Sequence, residues 1–363
     1  MSRPVQARIN LDNIERNFST ARAHASGARV MAVVKANAYG HGAVAVASHL
    51  SQADAFGVAS IEEAIELNDA GVTQPVVLLG GVFETEEWTL IEQRGFQAVI
   101  HNQTQLEGLL DHRMVSPRAR LVVWLKIDTG MHRLGFTEAE FARARECLLA
   151  SGKVAEIIAM SHLACADEPG HSMTEGQMRR FKRAVSGHDG AKSIANSAAL
   201  LTCPESRFDW VRPGIMLYGA NPLVEALPEP LTLRPAMTLT SRLVEVREVA
   251  AGETVGYGGQ WRVPKRSILG TVAVGYGDGY PRHARTGTPV LVKGKRAVLV
   301  GRVSMDFITV DLSRVPDARV GDEVELWGER LPVESVADNA ASISYDLLTG
   351  VSSRVPRKYA VGN

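Results

Sequence analysis

A lysine at the end of an apolar run is the first residue whose position in this chain suggests chemistry. Lys35 follows the run Val-Met-Ala-Val-Val at positions 30–34 and precedes a glycine-containing segment, a pattern typical of a buried β-strand that ends in a turn. Burial lowers the pKa of a lysine and makes its amine a better nucleophile. The alternative is a lysine whose charged end simply reaches solvent.

Four more polar groups follow apolar runs of the same kind. They are Arg133, His162, Asn196 with Ser197, and Arg212 with Gly214. In a barrel of parallel strands, the loops that follow the strands meet at one face, and active sites are built from those loops. The sequence therefore predicts that these groups and Lys35 converge on one site.

The elements that must position these groups alternate between short apolar runs and amphipathic segments over the first two-thirds of the chain. Eight strand–helix units predict an α/β fold, a closed (β/α)8 or TIM barrel. An open doubly wound sheet is the competing architecture, but no Gly-x-Gly-x-x-Gly follows an early strand. The predicted strands are Val30–Val34, Ala55–Val58, Val76–Leu79, Ala98–Ile100, Leu121–Lys126, Ile157–Met160, Lys192–Ala195 and Trp210–Arg212.

The last third of the chain has a different sequence pattern. Helical periodicity is scarce there until Val333–Asn339, and β-rich runs are separated by glycine and proline turns. We predict a barrel domain over residues 1–235 and a mostly-β domain over residues 236–363. The predicted β runs are Leu239–Val246, Ser267–Val274, Val298–Val303, Phe307–Leu312 and Glu323–Trp327.

Composition excludes several classes of protein. Forty basic and forty acidic residues give no net charge, which argues against a nucleic-acid partner. The amino terminus lacks the apolar core of a signal peptide, and no run has the length and polarity of a membrane span. Three cysteines without a Cys-x-x-Cys spacing argue against structural zinc, so we expect no metal and a cytoplasmic location.

The loops after the seventh and eighth strands usually form the phosphate-binding site of such barrels, here called the phosphate seat. Ser197 is predicted to cap the amino end of segment 198–201, where free backbone N–H groups favour an anion. Gly214 lets the backbone approach a phosphate closely, and the Tyr39 hydroxyl could donate to it. The alternatives are a simple helix cap and a tyrosine that is only packed.

Eight segments spread over nearly the whole chain resemble alanine racemases, which are fold-type III pyridoxal-phosphate enzymes. The first, residues 33–42, reads Val-Val-Lys-Ala-Asn-Ala-Tyr-Gly-His-Gly and is similar to the cofactor-lysine motif of that family. The others are residues 126–135, 195–199, 211–219, 255–258, 274–280, 301–306 and 354–357.

The resemblance implies a role for each matching residue. Lys35 would carry pyridoxal 5'-phosphate covalently, Arg212 would meet its ring nitrogen, and His162 would link Arg212 to Tyr257 (alone, His162 would be read as a core histidine). The substrate carboxylate would meet Arg133 and the backbone of Met305. The remaining cofactor-binding residues would be Tyr39, Asn196, Ser197, Gly214, Ile215 and Tyr345.

Racemisation of alanine needs a proton removed from one face of Cα and another delivered to the opposite face, so two bases are expected. The resemblance assigns them to Lys35 and Tyr257. It also implies a head-to-tail homodimer with shared sites, in which Tyr276 and Asp306 from the β domain help to build the entrance. Lys126 is either carbamylated, which would orient Arg133, or an unmodified strand lysine.

Three rival functions remain. A racemase of broader specificity is the serious alternative, and kinetics with several amino acids would separate it from an alanine racemase. A non-catalytic pyridoxal-phosphate-binding protein would normally lack the β domain. A basic amino-acid decarboxylase of the same fold type would normally use a cysteine from its β domain, whereas Cys147, Cys165 and Cys203 all lie in the first part of the chain.

Overall fold

The computed structural model describes residues 3–360, and a closed parallel barrel forms the centre of its first part. The strand β1 (Gln6–Asn10) precedes the barrel. The barrel strands are β2 (Arg29–Val33), β3 (Ala55–Val58), β4 (Val76–Leu78), β5 (Gln97–Ile100), β6 (Leu121–Lys126), β7 (Val154–Met160), β8 (Lys192–Ser193) and β9 (Trp210–Val211). The surrounding helices are Leu11–His24, Ala43–His49, Ile61–Asp69, Glu87–Arg94, Gln103–Asp111, Glu138–Ser151, Ser172–Ala184 and Ser197–Thr202.

Large apolar side chains fill the axis of the barrel. They come from seven of the eight barrel strands and form a cluster separate from the main core. The rings of Trp124 and Trp210 meet edge to face there, 5.4 Å apart. Alternate residues of the same strands face the helices, as the period of two in a β-strand requires. Because the axis is filled, a cavity can form only at an end of the barrel. The loops that follow the strands meet at the carboxyl end, so we expect the cavity there.

The predicted barrel is confirmed, and each of its strands lies within a few residues of the predicted one. The largest differences are in β7, which begins earlier at Val154, and in β8, which ends at Ser193 instead of Ala195. The chain still runs beside its neighbour after β8, since Arg212 N donates to the carbonyl of Ala195 at 2.9 Å, and the helix Ser197–Thr202 begins two residues later. Asn196 and Ser197 therefore lie just beyond the carboxyl end of this strand.

The second part is mostly β. Its strands are β10 (Met237–Val249), β11 (Thr254–Val255), β12 (Trp261–Arg262), β13 (Ser267–Val272), β14 (Pro289–Val292), β15 (Lys295–Leu299), β16 (Ile308–Asp311), β17 (Glu323–Trp327) and β18 (Arg357–Ala360). Eight strands form one sheet of order β13-β16-β15-β14-β17-β10-β1-β18, in which β13 also pairs with β10. A separate hairpin pairs β11 with β12. Two helices, Val333–Asn339 and Ser344–Thr349, lie between β17 and β18.

The sheet joins the two ends of the chain. Strand β1 pairs antiparallel with β10 and parallel with β18, so residues near the amino terminus belong to the β-rich sheet. Periodicity within a segment does not show with which distant strand it pairs, which is why the sequence did not reveal this arrangement. The division of the chain at residue 235 stays a prediction. Every helix within residues 3–360 is too short or too polar to cross a lipid bilayer.

Candidate active site

A cavity of about 710 Å³ opens at the carboxyl ends of the barrel strands. Parallel strands bring their following loops together at this face, as the sequence analysis expected. Eleven of the predicted site residues line the cavity: Lys35, Tyr39, Lys126, Arg133, His162, Asn196, Ser197, Arg212, Gly214, Ile215 and Tyr345. The structure therefore brings together ten predicted residues from the barrel part and Tyr345 from the β-rich part.

A left-handed turn follows Lys35 and was not predicted. Residues 36–39 all have φ between +51° and +53°, although none of them is glycine. This conformation costs roughly 1–2 kcal/mol per residue because Cβ approaches the following carbonyl oxygen. The turn sends Tyr39 back into the cavity that Lys35 also lines. The sequence signal for it is weak, since asparagine visits the left-handed region only as a single residue and alanine and tyrosine rarely do so.

Several hydrogen bonds hold this turn. Gly42 N donates to the carbonyl of Asn37 at 2.9 Å, and Ala43 N donates to the Asn37 side chain at 2.8 Å. The buried His41 places Nδ1 within 3.0 Å of the carbonyl oxygens of Ala38 and Tyr39, so this nitrogen carries the proton and donates. Burial lowers the pKa of His41 to about 4, which keeps the ring neutral.

Tyr218 packs against the left-handed turn and the end of β2. Its hydroxyl donates to the carbonyl of Val33 at 2.9 Å, and its ring stacks on Tyr39 with centroids 4.8 Å apart. The ring of His41 also packs against the ring of Tyr218, with centroids 4.6 Å apart. Sequence reasoning missed both Tyr218 and His41 as supports, because their contacts come from a loop after β9 and from the turn itself.

Lys35 and Lys126 lie in a group of cations. Burial is the largest cause that lowers the pKa of Lys35, Arg133 lowers it further, and Glu63 opposes both. The side chain of Lys35 nevertheless keeps contact with solvent through the open mouth. Burial and the charges of Arg212, Arg133 and Lys35 lower the pKa of the buried Lys126 to about 8. Such a group of cations favours an anionic occupant.

Arg212 is buried at the floor of the cavity and held by the barrel. One terminal nitrogen donates to Ser193 Oγ, and the other donates to the carbonyl of Ser161 at 2.7 Å. The second nitrogen also lies 3.4 Å from His162 Nδ1. Because a guanidinium only donates, His162 accepts here. Burial and the charge of Arg212 hold the pKa of His162 well below its usual value, so its ring is neutral.

Tyr39, Ser197 and Gly214 form a close group at the mouth of the barrel. Gly214 N donates to Ser197 Oγ at 2.8 Å, and a Cβ at position 214 would lie only 2.5 Å from the Tyr39 hydroxyl oxygen. Burial raises the pKa of Tyr39, with Tyr345 adding to the effect. Burial also raises the pKa of Tyr345 to about 12. Both hydroxyls therefore stay protonated and can donate to an anion.

The predicted capping role of Ser197 is wrong. The N-cap of the helix Ser197–Thr202 is Asn196, whose side-chain oxygen accepts from Ala199 N at 2.9 Å. The Ser197 hydroxyl instead accepts from the backbone N–H of Gly214 at 2.8 Å. Asn196 thus begins the helix, and Ser197 joins the loop after β8 to the loop after β9.

Four predicted site residues do not line this cavity. Tyr257, Tyr276, Met305 and Asp306 all belong to the β-rich part, and the side chain of Tyr257 is 67% exposed. Backbone hydrogen bonds join the loops of Tyr276 and Met305, with Gly277 N donating to the Met305 carbonyl at 2.9 Å. We call these four residues the second group because all of them lie outside the cavity within one chain; the hydrogen bonds join only the loops of Tyr276 and Met305.

Apolar walls complete the cavity and were missed. They include Leu79, Phe83, Leu134 and Ile343, and Phe83 is 68% exposed. Leu79 ends a predicted strand, but an apolar side chain carries no signal for chemistry. The arrangement as a whole can attract an anion with a basic rim and present an amine from Lys35 beside hydroxyl donors.

Two protein-family models match the chain: alanine racemase, N-terminal domain, over residues 9–222, and alanine racemase, C-terminal domain, over residues 236–359. The catabolic alanine racemase of Pseudomonas aeruginosa is 49% identical over 359 residues, 99% of each chain. The crystal structure of the biosynthetic alanine racemase of that organism is 47% identical, with a TM-score of 0.95 and 99% of both chains covered. The structure of alanine racemase from Bartonella henselae with covalently bound pyridoxal phosphate is 30% identical, with a TM-score of 0.88, and covers 98% of this chain and 99% of that one.

Proposed function

The chain belongs to the alanine racemase family of isomerases, and on this premise we propose that it interconverts L-alanine and D-alanine with pyridoxal 5'-phosphate and two bases, Lys35 and Tyr257. The observation that carries the proposal is the cavity that Lys35 lines together with the hydroxyl-bearing Tyr39 and Ser197. The near-equal similarity to a catabolic and a biosynthetic relative supports either physiological role.

The residues of the cavity fit this cofactor. Lys35 offers an amine for an aldehyde, and the group around Gly214 offers hydroxyls and a close backbone approach for a phosphate. Nε of Arg212 makes no hydrogen bond within residues 3–360, although both terminal nitrogens do, so its N–H is available to a ring nitrogen. Asn196, Ile215 and Tyr345 complete the seat.

The bound cofactor would supply the electron withdrawal that makes the Cα proton of an amino acid acidic. Lys35 would hold or deliver a proton on one face of Cα, and Tyr257 would do so on the other. Arg133, on the rim of the cavity, would bind the substrate carboxylate together with the backbone of Met305. The neutral His162 accepts from Arg212 through Nδ1, so its other ring nitrogen carries the proton and would donate a hydrogen bond toward the Tyr257 oxygen.

We propose that the second base comes from the partner subunit of a homodimer. Tyr257 is exposed and lies outside the cavity of its own chain, as do Tyr276, Met305 and Asp306. An exposed tyrosine and methionine in a β-rich face are typical of residues that an interface covers. The surface of the β-rich part (predicted as residues 236–363) that carries these four residues would then cover the barrel mouth of the partner, whereas Tyr345 from the same part lines the cavity of its own chain.

Hydrogen exchange at Cα tests the two-base proposal. In deuterated water, the protein should convert both enantiomers of alanine and incorporate deuterium at Cα. Tyr257→Phe should lose racemisation but still exchange the Cα proton of one enantiomer, because Lys35 still serves one face. Exchange of both enantiomers at equal rates in that variant would contradict two separate bases.

A further inference from the structure

Glu63 joins two strand ends beside the predicted catalytic lysine. It lies in the first turn of the helix Ile61–Asp69, where the helix dipole favours a negative charge. One carboxylate oxygen accepts from Ala36 N at 2.7 Å, and the other accepts from Ala59 N at 2.6 Å. Ala36 follows Lys35 directly, and Ala59 follows β3. A single side chain therefore bridges the loops after β2 and β3.

The hydrogen bond to Ala36 enters the most strained part of the backbone. Ala36 is the first of the four residues that adopt the left-handed conformation. Hydrogen bonds to an ionised acceptor are shorter and stronger than neutral ones, and this acceptor is fixed at both oxygens. Without it, the first N–H of the turn loses its partner, and the turn loses its tether to the neighbouring strand.

The charge of Glu63 acts on the same lysine. It raises the pKa of Lys35, whereas burial and Arg133 lower it. The charge therefore opposes the group of cations around the cavity mouth. Glu63 carries no distinguishing signal in the sequence, because an acidic residue in the first turn of a helix is usually explained by the helix dipole alone.

We propose that Glu63 is a positioning residue, which directs the Lys35 amine into the cavity by holding the left-handed turn and which tunes that amine by its charge. The inference rests on the proposed attachment of the cofactor at Lys35. Glu63 would contribute in two ways, through its hydrogen bonds and through its charge, and two substitutions can distinguish them.

Glu63→Gln removes the charge and leaves an amide that can accept through one atom only. Glu63→Asp keeps the charge but shortens the side chain, so it cannot reach both amides. Glu62→Gln is the matched control, because this neighbouring side chain is exposed and its hydrogen bonds are local, to the Ser60 hydroxyl and to its own backbone N–H. All three can be prepared as full-length protein, freed of cofactor and mixed with pyridoxal phosphate.

The measurement is the rate of cofactor capture against pH, followed by the visible absorbance and checked by borohydride trapping at Lys35. We expect both Glu63 variants to capture the cofactor about tenfold more slowly, the factor for one strong hydrogen bond lost. Capture needs the neutral amine, so Glu63→Gln should also shift the half-maximal pH downward. Glu63→Asp should leave that pH unchanged, and Glu62→Gln should match the wild type.

A wild-type rate and half-maximal pH for Glu63→Gln would overturn the inference, provided that the wild type is trapped at Lys35. Should Glu63→Gln fail to fold, a wild-type rate in Glu63→Asp would overturn it equally, and slow capture at an unchanged pH would support it. Failure to trap Lys35 in the wild type would instead contradict the proposed function, so the two failures are distinguishable.

Discussion

Lys126 is the residue whose environment departs furthest from that of an ordinary lysine. Burial and three neighbouring cations lower its pKa to about 8 from 10.5, so more of the amine is neutral near pH 7 than in an ordinary lysine. A neutral amine can react with carbon dioxide, and the resulting carbamate would place an anion among these cations. This environment favours the carbamylated alternative over an unmodified lysine.

We predict a carbamate on Lys126, detectable as the mass of one added carbon dioxide under native conditions with bicarbonate. The adduct should disappear in Lys126→Ala and on acid denaturation, since carbamates lose carbon dioxide in acid. Lys192, a half-buried lysine at the other end of a barrel strand, serves as the control when changed to alanine. A native mass without the adduct at every carbon dioxide pressure would contradict the prediction.

We propose that Arg212 determines which side reactions the site avoids. A guanidinium donates hydrogen bonds but accepts no proton, so it would leave the cofactor ring nitrogen without one. We predict that Arg212→Glu increases the ratio of pyruvate formation to racemisation, because an acidic partner favours a protonated, more strongly electron-withdrawing ring. Pyruvate can be measured with a coupled dehydrogenase, and Arg212→Lys is the cationic control. An unchanged ratio in Arg212→Glu would contradict this role.

At the scale of elements, the loops after β8 and β9 meet at Gly214. A Cβ there would lie 2.5 Å from the Tyr39 hydroxyl oxygen, so Gly214→Ala must displace the tyrosine or the loop. Such overpacking costs about 1–3 kcal/mol, and we predict binding of pyridoxal phosphate that is weaker by about tenfold or more.

Equilibrium titration of cofactor-free protein checks this prediction. Gly187→Ala is the matched control, because a Cβ at that position meets no atom within 4 Å. Wild-type affinity in Gly214→Ala would mean that the loops do not form the phosphate seat.

The sequence predicts elements well where the signal is local. The run 121–126 gives β6 with its observed bounds, because apolar and β-branched residues leave few alternatives to a buried strand. The left-handed turn after Lys35 is different. Its residue types disfavour it, and contacts from Glu63 and Tyr218, distant in sequence, stabilise it. Local patterns contain no information about such contacts.

At the scale of the whole molecule, the site residues form two groups that one chain keeps apart. The sequence could place Lys35 and Arg212 at one barrel face because the order of strands fixes their loops. It could not place Tyr257 against them from pattern alone, since that residue lies in the β-rich part and is exposed in the single chain. The family resemblance supplied the expectation of a shared site.

Complementation tests whether sites are shared. We predict that Lys35→Ala and Tyr257→Phe, each inactive alone, recover activity after subunit exchange. Random exchange makes half of the dimers mixed, and each mixed dimer has one site with both intact bases, so about a quarter of wild-type activity is expected. Mixing either variant with itself is the control. Absence of recovery despite proven exchange would contradict shared sites.

The central claim is that Lys35 binds pyridoxal phosphate covalently, and borohydride reduction followed by peptide mapping tests it most directly. Reduction fixes the cofactor on the lysine that holds it, whatever the activity of the preparation. We predict one pyridoxyl group for each chain, on the peptide that contains Lys35, and none on Lys126. A label on another lysine, or a chain that remains unlabelled after incubation with excess cofactor, would contradict the claim.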